Sequence, residues 1–206
     1  MIIGITGLIG SGKDTAADYL IRVHGFRKLS YAGPLKDCVS AIFGWDREML
    51  EGTTQSSREW REEVDEWWAK KLDMPHLTPR WVLQYWGTEV GRRSFHNDIW
   101  VTSVENQLRK IQDDVVITDC RFRNEVEAIK NAGGTTLRIV RGERPEWLTD
   151  AVDYNYYGNP QALARLTDLG IHASEYSSVG LQYDHTVDNN GTIDDLHKHI
   201  ELIVNS

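Results

Sequence analysis

The sequence predicts an α/β fold, a parallel sheet flanked by helices, and three observations carry that prediction. An apolar run, Met1-Ile2-Ile3-Gly4-Ile5-Thr6, leads into a glycine-rich turn and then a helical pattern. Strand and helix signals alternate after it, which implies parallel strands joined by right-handed crossovers. A continuous apolar run, Val115-Val116-Ile117-Thr118, ends in Asp119, as expected of a buried central strand with an acid at its ligand edge.

The turn Gly7-Leu8-Ile9-Gly10-Ser11-Gly12-Lys13-Asp14-Thr15 has the spacing and the strand–turn–helix context of a phosphate-binding loop. Its glycines let successive backbone N–H groups converge, and the following helix adds the positive end of its dipole. The residues expected to hold a nucleoside triphosphate are Gly10, Ser11, Gly12, Lys13, Asp14, Thr15 and Ala16, with Lys13 on the β- and γ-phosphates. A Ser or Thr commonly follows the lysine as a magnesium ligand; here Asp14 comes first and Thr15 second. Both offer the oxygen that a hard cation prefers.

The first helix is expected over about 13–23, ended by Gly25. Phe26 to Tyr31 reads as a short second strand. Pro34 suits the first turn of a helix reaching about Phe43, with Leu35, Val39 and Ile42 on one face. Ligands in such sheets sit at the carboxyl ends of the strands, where the phosphate loop and the turn from Tyr31 to Lys36 both open.

Residues 44–78 break the alternation and read as a helical substrate-binding insertion. Within them, Arg58 to Leu72 predicts one amphipathic helix, its stripe of Trp60, Val64, Trp67, Trp68 and Leu72 serving for packing rather than base stacking. Thr78 and Pro79 cap and start another helix running through Trp86 toward Arg92. A further helix covers about Asp98–Gln112. Asp119 stands where phosphate-loop enzymes place the acid that helps hold magnesium or its waters; capping the next helix is its competing role. Arg121 and Glu125 share a face of that helix and are spaced to pair. Thr136 to Val140 is the next strand. Residues 141–178 read as an irregular lid bearing Arg141, Arg144 and Arg165, arginines of the type that clamp transferring phosphates. Tyr183 to Asn189 is the last strand, and helix 192–204 closes the chain with Ile193, Leu196, Ile200 and Ile203 inward. The chain thus reads as one domain: a core of about 1–43, 79–140 and 179–206, the insertion, and the lid.

Composition bounds the function. The 206 residues carry a net charge of −8, which argues against a non-specific nucleic-acid binder while leaving room for a local cationic pocket. The two cysteines, Cys38 and Cys120, have no metal-ligand spacing and read as buried thiols of a cytosolic protein. No apolar run reaches transmembrane length, and the N-terminus lacks the basic region of a signal peptide.

Several segments, in order and at their spacing, resemble the bacteriophage deoxynucleoside monophosphate kinases of the T-even type. They are Gly12-Lys13-Asp14-Thr15, Ala32-Gly33-Pro34-Leu35-Lys36-Asp37, Arg58-Glu59, Arg80 with Leu83-Gln84 and Gly87-Thr88, Trp100, Asp119-Cys120-Arg121 with Glu125, Gly133-Gly134-Thr135, and His172-Ala173-Ser174-Glu175. The resemblance implies a P-loop NTPase fold, ATP and Mg²⁺ as cofactors, and transfer of the γ-phosphate to a deoxynucleoside monophosphate. It implies Lys13, Arg121, Asp119 and Arg80 as catalytic residues and Asp14, Thr15 and Asp119 around the metal. Arg141 joins the ATP residues. The acceptor would be met by Leu35, Lys36, Arg58, Arg80, Gly87, Thr88, Trp100, Arg121 and Glu125. A homodimer and the cytoplasm of an infected host are implied as well. That family's best-known member has basic residues inside the loop where Ile9 and Gly10 stand here, so its base selectivity does not transfer. A kinase of another small metabolite, such as dephospho-coenzyme A, and a non-catalytic nucleotide-binding module are the alternative readings. The chain has no Asn-Lys-x-Asp guanine signature.

Overall fold

The structure is a computed structural model that describes residues 1–205. Along the chain the elements run β1 (Ile2–Thr6), α1 (Lys13–His24), β2 (Arg27–Leu29), α2 (Gly33–Phe43), α3 (Arg47–Glu51), α4 (Gln55–Trp60), α5 (Glu66–Leu72) and α6 (Pro79–Tyr85). A π-helix (Trp86–Phe95) follows, then α7 (Ile99–Leu108), β3 (Val115–Ile117), α8 (Arg123–Asn131), β4 (Thr135–Val140), α9 (Leu148–Tyr157), α10 (Pro160–Asp168), α11 (Ala173–Tyr176), β5 (His185–Asp188) and α12 (Ile193–Val204). They form two compact units, one of residues 1–30 with 108–206 and one of residues 31–107. The second unit takes in the predicted insertion 44–78 together with stretches on both sides that the sequence assigns to the core.

The first unit holds a five-stranded sheet in the order β2-β3-β1-β4-β5 with every neighbouring pair parallel. β1 is central. The chain leaves it toward β2 on one side and later adds β4 on the other, so the strand order reverses at β1, and the crevice forms outside its carboxyl end. Ile3 and Ile5 of β1, Val116, Leu137, Ile139 and Val187 from the other strands, and Ala16, Ala17 and Leu20 of α1 make one buried core, closed by Leu196, Ile200 and Ile203 of α12. Each buried Leu or Ile contributes about 1.5–3 kcal/mol.

Helix α12 shows why its start is fixed. The Asp195 carboxylate accepts from the Thr192 hydroxyl at 2.7 Å and the Thr192 N–H at 3.1 Å, while Thr192 Oγ1 accepts from the Asp195 N–H. The Thr192 hydroxyl first, then the backbone N–H and Lys198, hold the Asp195 carboxyl down at about 2. A carboxyl depressed in the folded state adds stability above its ordinary pKa of 3.8 and loses it as pH falls through about 2. Asp195→Asn is therefore expected to flatten the acid limb of the melting temperature between pH 4 and 2, read by calorimetry; parallel profiles for variant and parent would remove this role.

Two expectations about helix faces change. Ile193 is exposed at the first turn of α12, because the cap turns it outward, and Ile42 is exposed while Phe43 takes the third inward position after Leu35 and Val39. His197 is half-buried and stacks on Tyr19 with ring centroids 4.0 Å apart. Cys120 is buried as expected, whereas Cys38 is exposed on the outer face of α2.

Residues 141–178 are not irregular: they fold as α9, α10 and α11 around Ala151, Leu166, Tyr176 and Val179. Asn159 caps α10 ahead of Pro160. Arg165 pairs with Asp150 at 2.6 Å, tying α10 to α9.

The second unit is built on tryptophan. Phe43 stacks on Trp45 at 4.4 Å, with Trp60 and Trp68 packed around them, and the indole N–H groups of Trp45 and Trp68 donate to Asp65 and to the Phe43 carbonyl. Trp60 and Trp68 of the stripe thus pack, as the sequence suggests, whereas Val64, Trp67 and Leu72 are exposed. The single helix expected over 58–72 is instead two. Asp65 breaks it: its carboxylate accepts from the Trp67 and Trp68 N–H groups and starts α5 afresh. The continuation of α6 widens into the π-helix. Trp100 lies so close that a Cβ at Gly91 would sit 2.6 Å from its ring, and the Trp100 N–H donates to the Gly87 carbonyl at 2.9 Å.

Candidate active site

The phosphate loop spans the carboxyl end of β1 and the start of α1. Gly12 stands at φ +99°, a region that an L side chain rarely adopts. Space forbids a side chain there too, since a Cβ on Gly12 would run into the Asn189 amide nitrogen and one on Gly7 into the Ile139 carbonyl. The loop is therefore pressed against the ends of β4 and β5, and its glycines are demanded by close approach as well as by curvature. Ile9 at its tip is 75% exposed.

Lys13 lies half-buried with its ammonium on the Leu8 carbonyl at 2.8 Å. Burial, and then the positive charge of Arg121, pull its pKa below the ordinary 10.5, against the opposing pull of Asp14, Glu175 and Asp119. A polyanion in the loop would reverse that shift, because an opposite charge favours the protonated amine. Ser11 Oγ is a buried hydroxyl with no hydrogen-bond partner among the described residues, an orphaned donor in a loop built to receive oxygen anions.

A cleft opens beside the loop, lined among others by Thr6, Lys13, Asp119, Arg121, Ser174 and Glu175. Asp119 follows β3 and accepts from the Ser30 hydroxyl at 2.7 Å. The Arg121 guanidinium sits 3.6 Å from the Glu175 carboxylate of α11. Cys120 between them is fully buried, and burial pushes its thiol well above the ordinary range, so it is packing and no nucleophile. The Arg121–Glu125 pair expected from the sequence takes another form. Glu125 is 2% exposed, and its carboxylate accepts from the Arg121 and Phe122 N–H groups at 2.7 and 3.0 Å, which fixes the turn that presents Arg121. Glu125 thus caps the turn ahead of α8.

For a metal, the donors are spare. Asp14 is exposed, with Lys28 3.8 Å away; Thr15 is half-buried next to it. No group of three or more His, Cys, Asp or Glu able to hold a cation exists among the described residues. One or two carboxylates and a hydroxyl fit Mg²⁺, which keeps several waters and takes its remaining ligands from substrate phosphates. Arg141 is exposed at the end of β4.

The other expected residues lie in the second unit. Lys36 donates to Glu51 at 2.6 Å, and Arg80 pairs with Glu62 at 3.1 Å. Arg58 is exposed and bonded to the carbonyls of Thr53 and Thr54, which holds its stem in place. Leu35 and Thr88 are buried, Leu35 within the aromatic core and against Gly87, and Trp100 of α7 is half-buried against the π-helix.

Two residues of the first unit were not assigned a role from sequence. Glu175 was visible only as part of the run His172 to Glu175; its part in the cleft follows from α11, where His172 accepts from the Ser174 N–H as the cap. Asn189 gave no signal, because its partner Ser11 is far away in sequence and Asn at a strand end looks like an ordinary turn residue. Among the described residues no helix is long and apolar enough to cross a membrane.

No family model matches the chain. A mimivirus protein (Acanthamoeba polyphaga mimivirus) named "Putative deoxynucleotide monophosphate kinase" is 34% identical over 155 residues, covering 68% of this chain and 74% of its own. The deoxynucleoside-5'-monophosphate kinase of Escherichia phage T5 is 29% identical over 181 residues, covering 63% and 72%. Among solved structures, the shikimate kinase of Aquifex aeolicus is 14% identical with a TM-score of 0.45, covering 100% of this chain and 96% of that one. The dephospho-CoA kinase of Campylobacter jejuni is 15% identical with a TM-score of 0.42, covering 99% and 95%.

Proposed function

Since this chain belongs to the deoxynucleoside monophosphate kinase family, we propose that ATP binds the phosphate loop of the first unit and that a deoxynucleoside monophosphate is held by cations of the second. The observation that carries the reading is the loop itself: Lys13 and Arg121 line one cleft at the carboxyl end of the central strand of a parallel sheet.

An oxygen of the acceptor phosphate attacks the γ-phosphorus, the bond to the β–γ bridging oxygen breaks, and ADP leaves with that electron pair. The nucleophile is already anionic, so no strong general base is needed. The obstacle is the meeting of two polyanions, and catalysis is mostly positioning and charge. Lys13 neutralises the β- and γ-phosphates. Arg121, released from Glu175, takes up charge on the transferring group, and Arg141, exposed just after β4, assists. Asp14, Thr15 and Asp119 would be the chain's oxygen donors to Mg²⁺ or to its waters, and the ion would supply further charge neutralisation when bound.

Lys36, Arg58 and Arg80 grip the acceptor phosphate. Each charge-assisted bond contributes roughly 1.5–3 kcal/mol. Arg58→Ala and Arg80→Ala are accordingly expected to raise the acceptor KM about ten- to a hundredfold while the ATP KM stays put. Steady-state kinetics with each substrate varied in turn checks this, and an unchanged acceptor KM in both variants would remove the role.

The function is tested by following ADP release with ATP, Mg²⁺ and each deoxy- and ribonucleoside monophosphate in turn. Turnover with one or more deoxynucleotides is expected. No turnover with any monophosphate, from a protein that binds ATP, would overturn the assignment.

A further inference from the structure

We infer that Asn189 is a positioning residue of the phosphate loop, one that locks the Ser11–Gly12 peptide so that the Gly12 N–H faces the nucleotide phosphates. The inference rests on the reading that this loop binds ATP. Asn189 is 7% exposed and immediately follows β5. Its side-chain amide donates to the Ser11 carbonyl at 2.8 Å across the sheet edge. Its own mount is rigid: the Asn189 N–H donates to the Val140 carbonyl at 2.8 Å, and the turn beyond is pinned by Asn190, which accepts from the Gly142 N–H.

The geometry of a trans peptide supplies the rest. The carbonyl of Ser11 and the N–H of Gly12 belong to one planar unit and point in opposite directions. Holding that carbonyl outward, on the end of β5, turns the Gly12 N–H inward toward the concave side of the loop. Gly12 at φ +99° has little steric resistance of its own to a flip of this peptide. A flipped peptide would aim a carbonyl oxygen at the polyphosphate in place of a donor. The Asn189 amide is what opposes the flip, and it is also the atom that a Cβ at Gly12 would strike. Loop glycine and strand-end asparagine are thus two halves of one device, which explains why an amide donor rather than a carboxylate or a hydrophobe stands at that buried position.

The test is ADP binding by titration calorimetry to the parent, Asn189→Ala and Asn189→Asp, with the Gly12 amide followed in ¹⁵N–¹H spectra. Asn189→Ala is expected to weaken ADP about tenfold, the effect of one buried hydrogen bond, and to leave the acceptor KM unchanged. Asn189→Asp fills the same space, keeps the backbone bond to Val140, and sets an oxygen anion against the Ser11 carbonyl; a loss of about a hundredfold is expected, and this variant carries the test if the alanine variant fails to fold. In the parent, ADP should move the Gly12 amide proton downfield, and in both variants that shift should vanish, which a merely structural asparagine would not bring about. ADP affinity within twofold of the parent together with an intact Gly12 shift would overturn the inference. A parent that binds no ADP would overturn it and the ATP site together, whereas a parent that binds ADP but phosphorylates no monophosphate would remove the kinase assignment alone.

Discussion

Lys13→Ala should reduce kcat/KM at least a thousandfold, because on the proposed mechanism the substitution removes the loop's ammonium from the β- and γ-phosphates. Lys13 reaches the cleft half-buried, its Nζ on the Leu8 carbonyl, so a nucleotide displaces a backbone bond rather than bulk water. A cation held in a partly desolvated site acts more strongly on the charge of the transferring group than one in solvent. The loop can fold without it: Gly12, Ser11 and Asn189 make their contacts independently of the ammonium. The expected pattern is therefore a normal melting temperature with turnover lost, measured by calorimetry and by ADP release. Activity within tenfold of the parent would remove the phosphate-loop mechanism.

Gly12→Ala should cost about a hundredfold in nucleotide affinity. A non-glycine residue at φ +99° carries strain of about 1–3 kcal/mol. The new methyl must also push aside an amide that is buried and hydrogen-bonded. The cheapest relief is to move the Ser11–Gly12 peptide, which disorders the donors that a phosphate needs. Titration with ADP measures the loss, and the acceptor KM should not follow it. An alanine variant with parental ADP affinity would mean that the loop has room that its contacts do not show.

Much of this was legible along the chain, and the reasons are local. β1, the loop and α1 are contiguous, so an apolar run, glycine spacing and a C-terminal Gly25 report them without knowledge of the rest. The run Val115 to Ile117 is apolar at every position because it is covered on both faces, and it reads correctly as a central strand. What escaped depends on distant partners or on competition between signals. Residues 58–72 have a good helical stripe, yet Asp65 prefers to cap Trp67 and Trp68, and a cap overrides periodicity. The π-helix is set by Trp100 lying on Gly91, a tertiary contact with no local signature. Helices α9 to α11 were hidden because their shared core is only four buried residues and their surfaces are polar and aromatic by turns. At the site, the identity of Lys13 and Arg121 was visible, while the partners that hold them and their loop, Glu175 and Asn189, come from the far end of the chain.

The ion pairs of the second unit set a condition on what can act as a ligand there. Lys36 already holds Glu51, and Arg80 already holds Glu62. An incoming anion therefore trades places with a carboxylate, and the affinity observed is a difference between two pairings rather than the strength of one. Chloride or a monoanion offers no more charge than the tethered carboxylate it would replace and gains nothing by the exchange. A phosphomonoester brings up to two charges and several acceptor oxygens, and on the proposed reading it would win the exchange. If Lys36 and Arg80 grip the acceptor phosphate as proposed, Glu51 and Glu62 are built-in competitors that would disfavour small anions against a phosphomonoester.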